Sequence, residues 1–260
     1  MTSATVPQRT VPPRTPADVD RPTLLRLTTV ELRKQVDTPV GIVLVVVAAL
    51  LAGVFGGGSA LIETNTTYGG VARMAAVPGA TLAPILAILL VTTEITHRTA
   101  LSTYALVPRR GRVLTAKALA SVVIGVSVVV LSLLAALLIT PVGSAVTGHP
   151  IAWRADGVQI GLFTVSVAFA TLSGWALGLA LKSAPAAIVI LLVWPMVSST
   201  ILTLDVGWSD VVTWLDITSV SGLAEDHAAI AVAKVLTGIA VWVVLPAVIG
   251  TWRALTEEVR

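Results

Sequence analysis

Six apolar runs, each near the length needed to cross a bilayer, decide most of what this chain can fold into. A helix rising 1.5 Å per residue needs about 20 apolar residues to traverse a hydrocarbon core of roughly 30 Å. Residues 40–59, 74–93, 118–140, 158–181, 186–204 and 229–252 meet that requirement. Lipid offers no partner to a free N–H or C=O group, so each run must satisfy its own backbone and therefore be helical. The predicted fold class is all-α: a polytopic membrane protein with six transmembrane helices. With 55% hydrophobic and 12% charged residues in a chain of 260, little length remains for a separate soluble domain.

The segments around the runs give the domain plan. Residues 1–22 carry Pro7, Pro12, Pro13, Pro16 and Pro22 among Arg, Thr and Asp, and read as a disordered cytoplasmic tail with no apolar core for a cleaved signal peptide. Residues 23–37 read as an amphipathic interfacial helix, with Leu24, Leu25, Leu32 and Val36 on one side and Arg26, Glu31, Arg33 and Lys34 on the other. Thr38 and Pro39 supply a cap and a first-turn proline for the six-helix domain, residues 38–252, and residues 253–260 form a second cytoplasmic tail. Gly56, Gly57 and Gly58 are expected to loosen the first span as it ends. Pro78 and Pro84 should bend the second, Pro141 should stop the third, and residues 182–185 should form a tight turn. Residues 205–227 form a polar, acidic segment before the last span.

Charge orients this map. Arg98, Arg109, Arg110, Arg112, Lys117, Lys182 and Arg253 join the N-terminal cations on one side, whereas Arg73, Arg154 and Lys234 fall on the other. The positive-inside rule then predicts a multi-pass plasma-membrane protein with both termini in the cytoplasm. Trp153, Trp208 and Trp214 lie where an outer aromatic belt forms, and Trp252 at the inner boundary. The isoelectric point near 9.7 reflects these short flanking segments, so no nucleic-acid partner is expected.

Several kinds of chemistry are excluded. Cysteine is absent, which removes disulfides and thiolate sites. His97, His149 and His227 stand on separate loops without ligand spacing, so no metal site is predicted. The glycine run lacks a P-loop lysine, and the hydroxyls of the spans have no intramembrane base to activate them. No catalytic or cofactor-binding residue is predicted, and the chain is not read as an enzyme. None of the spans carries a charge at mid-depth, which disfavours an ion-driven carrier. Spacings such as Gly53 to Gly57 and Gly174 to Gly178 permit close helix contact, within or between subunits.

The distinctive polar stretch is residues 92–119. Glu94 ends the second span with Arg98 at i+4, a spacing that lets them pair on a helix. Pro108, Arg109, Arg110, Gly111 and Arg112 concentrate positive charge in a turn, and Lys117 opens the third span. As residues alone, this stretch serves either as a topological signal or as a contact surface. The series Glu94, Thr99, Pro108-Arg109 and Lys117, within an entry helix and six spans over residues 25–252, resembles the ABC-2 type permeases of bacterial exporters.

That resemblance implies a transport subunit working with a separate ABC ATPase chain, on which ATP and magnesium bind, and with a second permease subunit, a homodimer in the simplest case. It also implies that Glu94, Arg98, Arg109, Arg110 and Lys117 belong to the ATPase-coupling interface, with Arg26, Glu31, Arg33 and Lys34 beside it, and that spans two and five line the path. The substrate and the individual path residues are not specified by it. The alternatives are a secondary or facilitative carrier and a non-transporting assembly or sensor subunit. The charge asymmetry makes one prediction directly. Ser102→Cys and Ser209→Cys, introduced singly into this cysteine-free chain, should be labelled by an impermeant thiol reagent from opposite sides of the membrane, and labelling of both from outside contradicts the topology.

Overall fold

A computed structural model describes residues 23–63, 65–96, 110–204, 207–216 and 229–256. An entry helix, Leu24–Asp37, precedes the first span, Pro39–Ile62, and the second, Tyr68–Thr96. The third is Arg110–Thr147, the fourth Gly157–Leu181 and the fifth Ala184–Leu204. A short helix, Ser209–Leu215, follows, and the sixth span is built from Ala229–Ile239, a π-helical turn at Ala240–Val244 and Leu245–Thr256. Six of these helices are long and apolar enough to cross a membrane. The protein is thus an all-α multi-pass membrane protein, and among the described residues the only strand-like pairing is an isolated bridge between Thr67 and Ala152.

Local chemistry sets the boundaries. The Thr23 hydroxyl accepts from the Arg26 N–H to start the entry helix, and Thr38 accepts from the Gly41 N–H to start the first span. A Cβ at Gly41 would collide with the Gln35 carbonyl, so only glycine permits this abrupt junction. Asp156 caps the fourth span by accepting from Val158 and Gln159 N–H groups. Lys182 ends it in the left-handed region at φ 53°, which makes the expected turn into the fifth.

Several expected boundaries move. The glycine run does not loosen the first span, which continues to Ile62, because Gly56 packs between Ala75 and Ile139 and Ser59 bonds its carbonyl at 3.0 Å. Pro141 does not stop the third span. Thr140 is fully buried and Gly143 lies against Ala60, so packing carries the helix past the one missing backbone bond. Residues 253–256 extend the last helix instead of starting a tail, and residues 209–215 of the acidic segment are helical. The tail at 1–22 lies outside the described residues.

The second span is the centre of the bundle, packed against the first, third and fourth. Of its apolar window 61% is buried, against 11% for the first span. Small residues make this possible: Gly174 sits so close to the Pro84 carbonyl that a Cβ would overlap it, and Gly178 lies close on Ile88, where a Cβ would stand 3.2 Å from its backbone. Gly53 and Gly57 have nothing within 4 Å of where a Cβ would stand. At one end, Tyr68 N–H donates to Ala152 at 2.9 Å, Tyr68 O–H donates to Leu133 at 2.9 Å, and its ring stacks on Trp153, tying together the connections that follow the first and third spans. At the other end Arg253 donates to the Ala180 carbonyl at 2.8 Å, fastening the sixth span to the fourth.

This arrangement predicts unequal responses to one added methyl. Gly174→Ala should cost about 1–3 kcal/mol through overpacking, whereas Gly57→Ala should be neutral or stabilising by up to about 1 kcal/mol through helix propensity. Denaturation of the two purified variants measures this, and equal losses contradict the second-to-fourth span contact.

Candidate functional site

The charges expected at the coupling loop meet inside the bundle. Glu31 on the entry helix, Glu94 near the end of the second span and Lys117 two turns into the third are joined by Lys34. The Lys117 ammonium lies 2.6 Å from Glu31 Oε2 and 3.2 Å from Glu94 Oε1, and donates to the Leu90 carbonyl at 2.9 Å. Lys34 lies 2.9 Å from Glu31 Oε1 and 2.8 Å from Glu94 Oε1. Two cations and two anions alternate in a closed, net-neutral ring spanning three helices.

Burial decides what each bond contributes. The side chains of Lys117 and Glu31 are 3% and 5% exposed, Glu94 is 15% exposed, and Lys34, at 42%, closes the ring from its outer edge. The Lys117 ammonium donates to Glu31 and to the Leu90 carbonyl and has Glu94 as a second counter-charge at 3.2 Å, which is what permits a charge to stay among apolar residues. Burial alone lowers the Lys34 pKa, but its hydrogen bonds and charge interactions with Glu94 and Glu31 outweigh that and hold it above the ordinary lysine value. Being raised on folding, its contribution is complete below the unfolded lysine pKa and is lost as pH rises through the folded value.

The entry helix docks accordingly. Thr28 and Glu31 are buried, Leu27, Leu32, Lys34 and Gln35 are half-buried, and Leu25 is 80% exposed. The expected division into an apolar and a charged side does not hold: Thr28, Glu31 and Lys34 turn toward the spans with Leu27 and Leu32 beside them, because the partners of Glu31 and Lys34 lie there, and Leu25 and Val30 turn away with Arg26 and Arg33. Arg26 and Arg33 are exposed beside the ring and outside it. Arg110 opens the third-span helix, and Arg112 is half-buried one turn into it. Arg98 and Arg109 lie outside the described residues, and so does the expected pairing of Glu94 with Arg98; among the described residues Lys34 and Lys117 are the partners of Glu94.

Sequence reasoning named all four members of the ring but not the ring itself, because the two bonds that close it across the chain join residues 60 and 86 positions apart. The available signal was a lysine among Val113, Leu114, Ala116, Ala118 and Ala120, where a charge without a partner is costly. Among the described residues no group of histidine and carboxylate side chains could hold a metal ion. The ring links the entry helix to the second and third spans through four ion pairs. Against known proteins, neither a family model nor a curated sequence gives a match.

The ring predicts strongly unequal substitutions. Lys117→Met leaves the buried Glu31 and Glu94 carboxylates to share the half-exposed Lys34, with a net negative charge, and should cost about 3–5 kcal/mol. Lys34→Met removes a half-exposed partner and should cost about 1 kcal/mol or less. Denaturation of both variants measures this, and similar small losses contradict a buried ring.

Proposed function

We propose that this chain is the permease subunit of an ABC-2 type exporter, acting as a homodimer with a separate ATPase chain. The observation that carries the reading is the ionic ring. It locks together the entry helix and the two spans that flank the basic 97–109 connection, the segments that the family resemblance assigns to ATPase contact. The cation asymmetry supports placing that end, and both termini, in the cytoplasm of a plasma-membrane protein.

On this reading ATP and magnesium bind the partner chain, and closure of the ATPase pair pushes on the exposed cations beside the ring. A body held by buried ion pairs passes the displacement to the second span instead of absorbing it locally. Roles then divide within the set of candidate residues. Arg26, Arg33, Arg109 and Arg110 contact the partner, while Glu31, Lys34, Glu94 and Lys117 keep the lever rigid. The exposed apolar face of the fifth span, including Val189, Val193 and Met196, and that of the first, including Val43, Leu50 and Val54, supply surface for a second copy and for lipid. In the second span Arg73, Val77 and Thr81 recur at i, i+4 and i+8 as an exposed stripe, and these are its residues able to line a path shared between copies.

The test separates contact from rigidity. Coexpressed with an ATPase encoded beside it, the chain carrying Arg26→Ala and Arg33→Ala should keep its membrane level and thermal stability but retain about tenfold less ATPase on copurification. The same loss is expected for Arg109→Lys with Arg110→Lys, since lysine preserves charge but not the planar donor geometry. Full ATPase retention in both, or substrate movement by the chain alone without ATP, contradicts the assignment and favours a carrier.

A further inference from the structure

The opposite end of the bundle holds a cavity of about 780 Å³ between the second, third and fourth spans, within the size range of small-molecule sites. Two cations reach it: Arg73, one turn into the second span, and Arg154, just before the fourth. The backbone brings them to one cavity, because Gly69 donates its N–H to the Arg154 carbonyl at 3.0 Å in a close approach where a Cβ would stand 3.2 Å from that oxygen. Among the described residues neither guanidinium has a carboxylate within 4.0 Å or a hydrogen-bond acceptor. Asp156 also lines the cavity, but its carboxylate is turned to the start of the fourth span, where it accepts from Val158 and Gln159. The floor, Ala72, Val129 and Ser132, is buried, and the wall carries Leu133, Ile160, Leu162 and Phe163.

We infer that this cavity binds an anionic amphiphile: a phosphate or carboxylate headgroup between Arg73 and Arg154, with an apolar chain along the leucine, isoleucine and phenylalanine wall. Guanidinium groups match an oxyanion with paired parallel donors, and two without protein partners at the mouth of one cavity give it a net positive character despite Asp156. A purely apolar occupant leaves both cations unpaired, and a free inorganic anion leaves the apolar wall uncovered. The combination therefore selects a molecule with both parts. The inference concerns binding alone and does not rest on the exporter reading.

The test uses the full chain in nanodiscs of neutral phosphatidylcholine, with brominated dodecyl phosphate as probe and tryptophan quenching as readout, since Trp153 adjoins Arg154. Saturable quenching is expected with the phosphate and not with brominated dodecanol. Arg73→Gln and Arg154→Gln should each weaken binding about tenfold. Ser132→Phe, which fills the floor but keeps both cations, should weaken it as well and serves if an arginine variant fails to fold. Unchanged binding in these variants, equal binding of the alcohol, or competition by inorganic phosphate at the same concentration as the probe overturns the inference. Phosphatidylglycerol in the nanodisc distinguishes sources: displacement of the probe identifies a lipid headgroup, and no displacement identifies an amphiphile from solution.

Discussion

A lysine buried in an apolar bundle is tolerated only if its charge is cancelled where it stands, and the rest of this architecture follows from how Lys117 meets that condition. Its ammonium donates to Glu31 and the Leu90 carbonyl and lies 3.2 Å from Glu94. Glu31 belongs to a helix that otherwise has little reason to lie against the spans, since its docked face is centred on Thr28 and Glu31 while Leu25 points away. Electrostatics, not apolar burial, therefore decides where the entry helix sits. The ring is also cooperative, because removing any buried member leaves the other three with a net charge and one fewer link between the helices.

Apolar packing does the complementary work deeper in the bundle, and it does so with small residues. In lipid the hydrophobic effect does not drive helix against helix, so contact has to come from close fit. Gly174 and Gly178 let the fourth span press on Pro84 and Ile88 of the second, and Gly250 lets the sixth approach Leu179 of the fourth. The sixth span adds a π-helical turn at Ala240–Val244, from which Trp242 packs near Trp194 and donates to the Leu215 carbonyl at 2.8 Å. A π turn shifts the helical register, and here it accompanies a contact between the sixth span and the short helix before it. The first and fifth spans, by contrast, show most of their apolar surface to the outside. The protein has a tightly built middle and two lightly attached flanks.

Much of this was legible in the sequence, for identifiable reasons. The spans and the entry helix follow from length and apolar content, which depend on neighbours along the chain. Their ends were less legible because tertiary packing overrides local signals: Gly56 looks like a loosening residue until Ala75 and Ile139 are placed against it, and Pro141 looks like a stop until Gly143 meets Ala60. Glu31, Lys34, Glu94 and Lys117 were all placed at or beside the coupling segment, but a rule based on i and i+4 spacing offers Glu94 only Arg98 and cannot see Lys34, 60 residues distant, or Lys117 across the connection. The cavity at the far end was hidden in the same way, since Arg73, in the second span, and Arg154, before the fourth, are far apart in sequence and line one cavity only once Gly69 docks on the Arg154 carbonyl.

Amide hydrogen exchange across Leu24–Asp37 tests most directly whether buried charge holds the entry helix to the spans. In the native protein these amides should be protected to a degree comparable with the start of the third span. In Lys117→Met the account predicts that exchange accelerates across the entry helix while the fourth and sixth spans, which do not touch the ring, are unaffected. Equal protection of the entry helix in both proteins would show that something other than the ring anchors it, and would contradict the account.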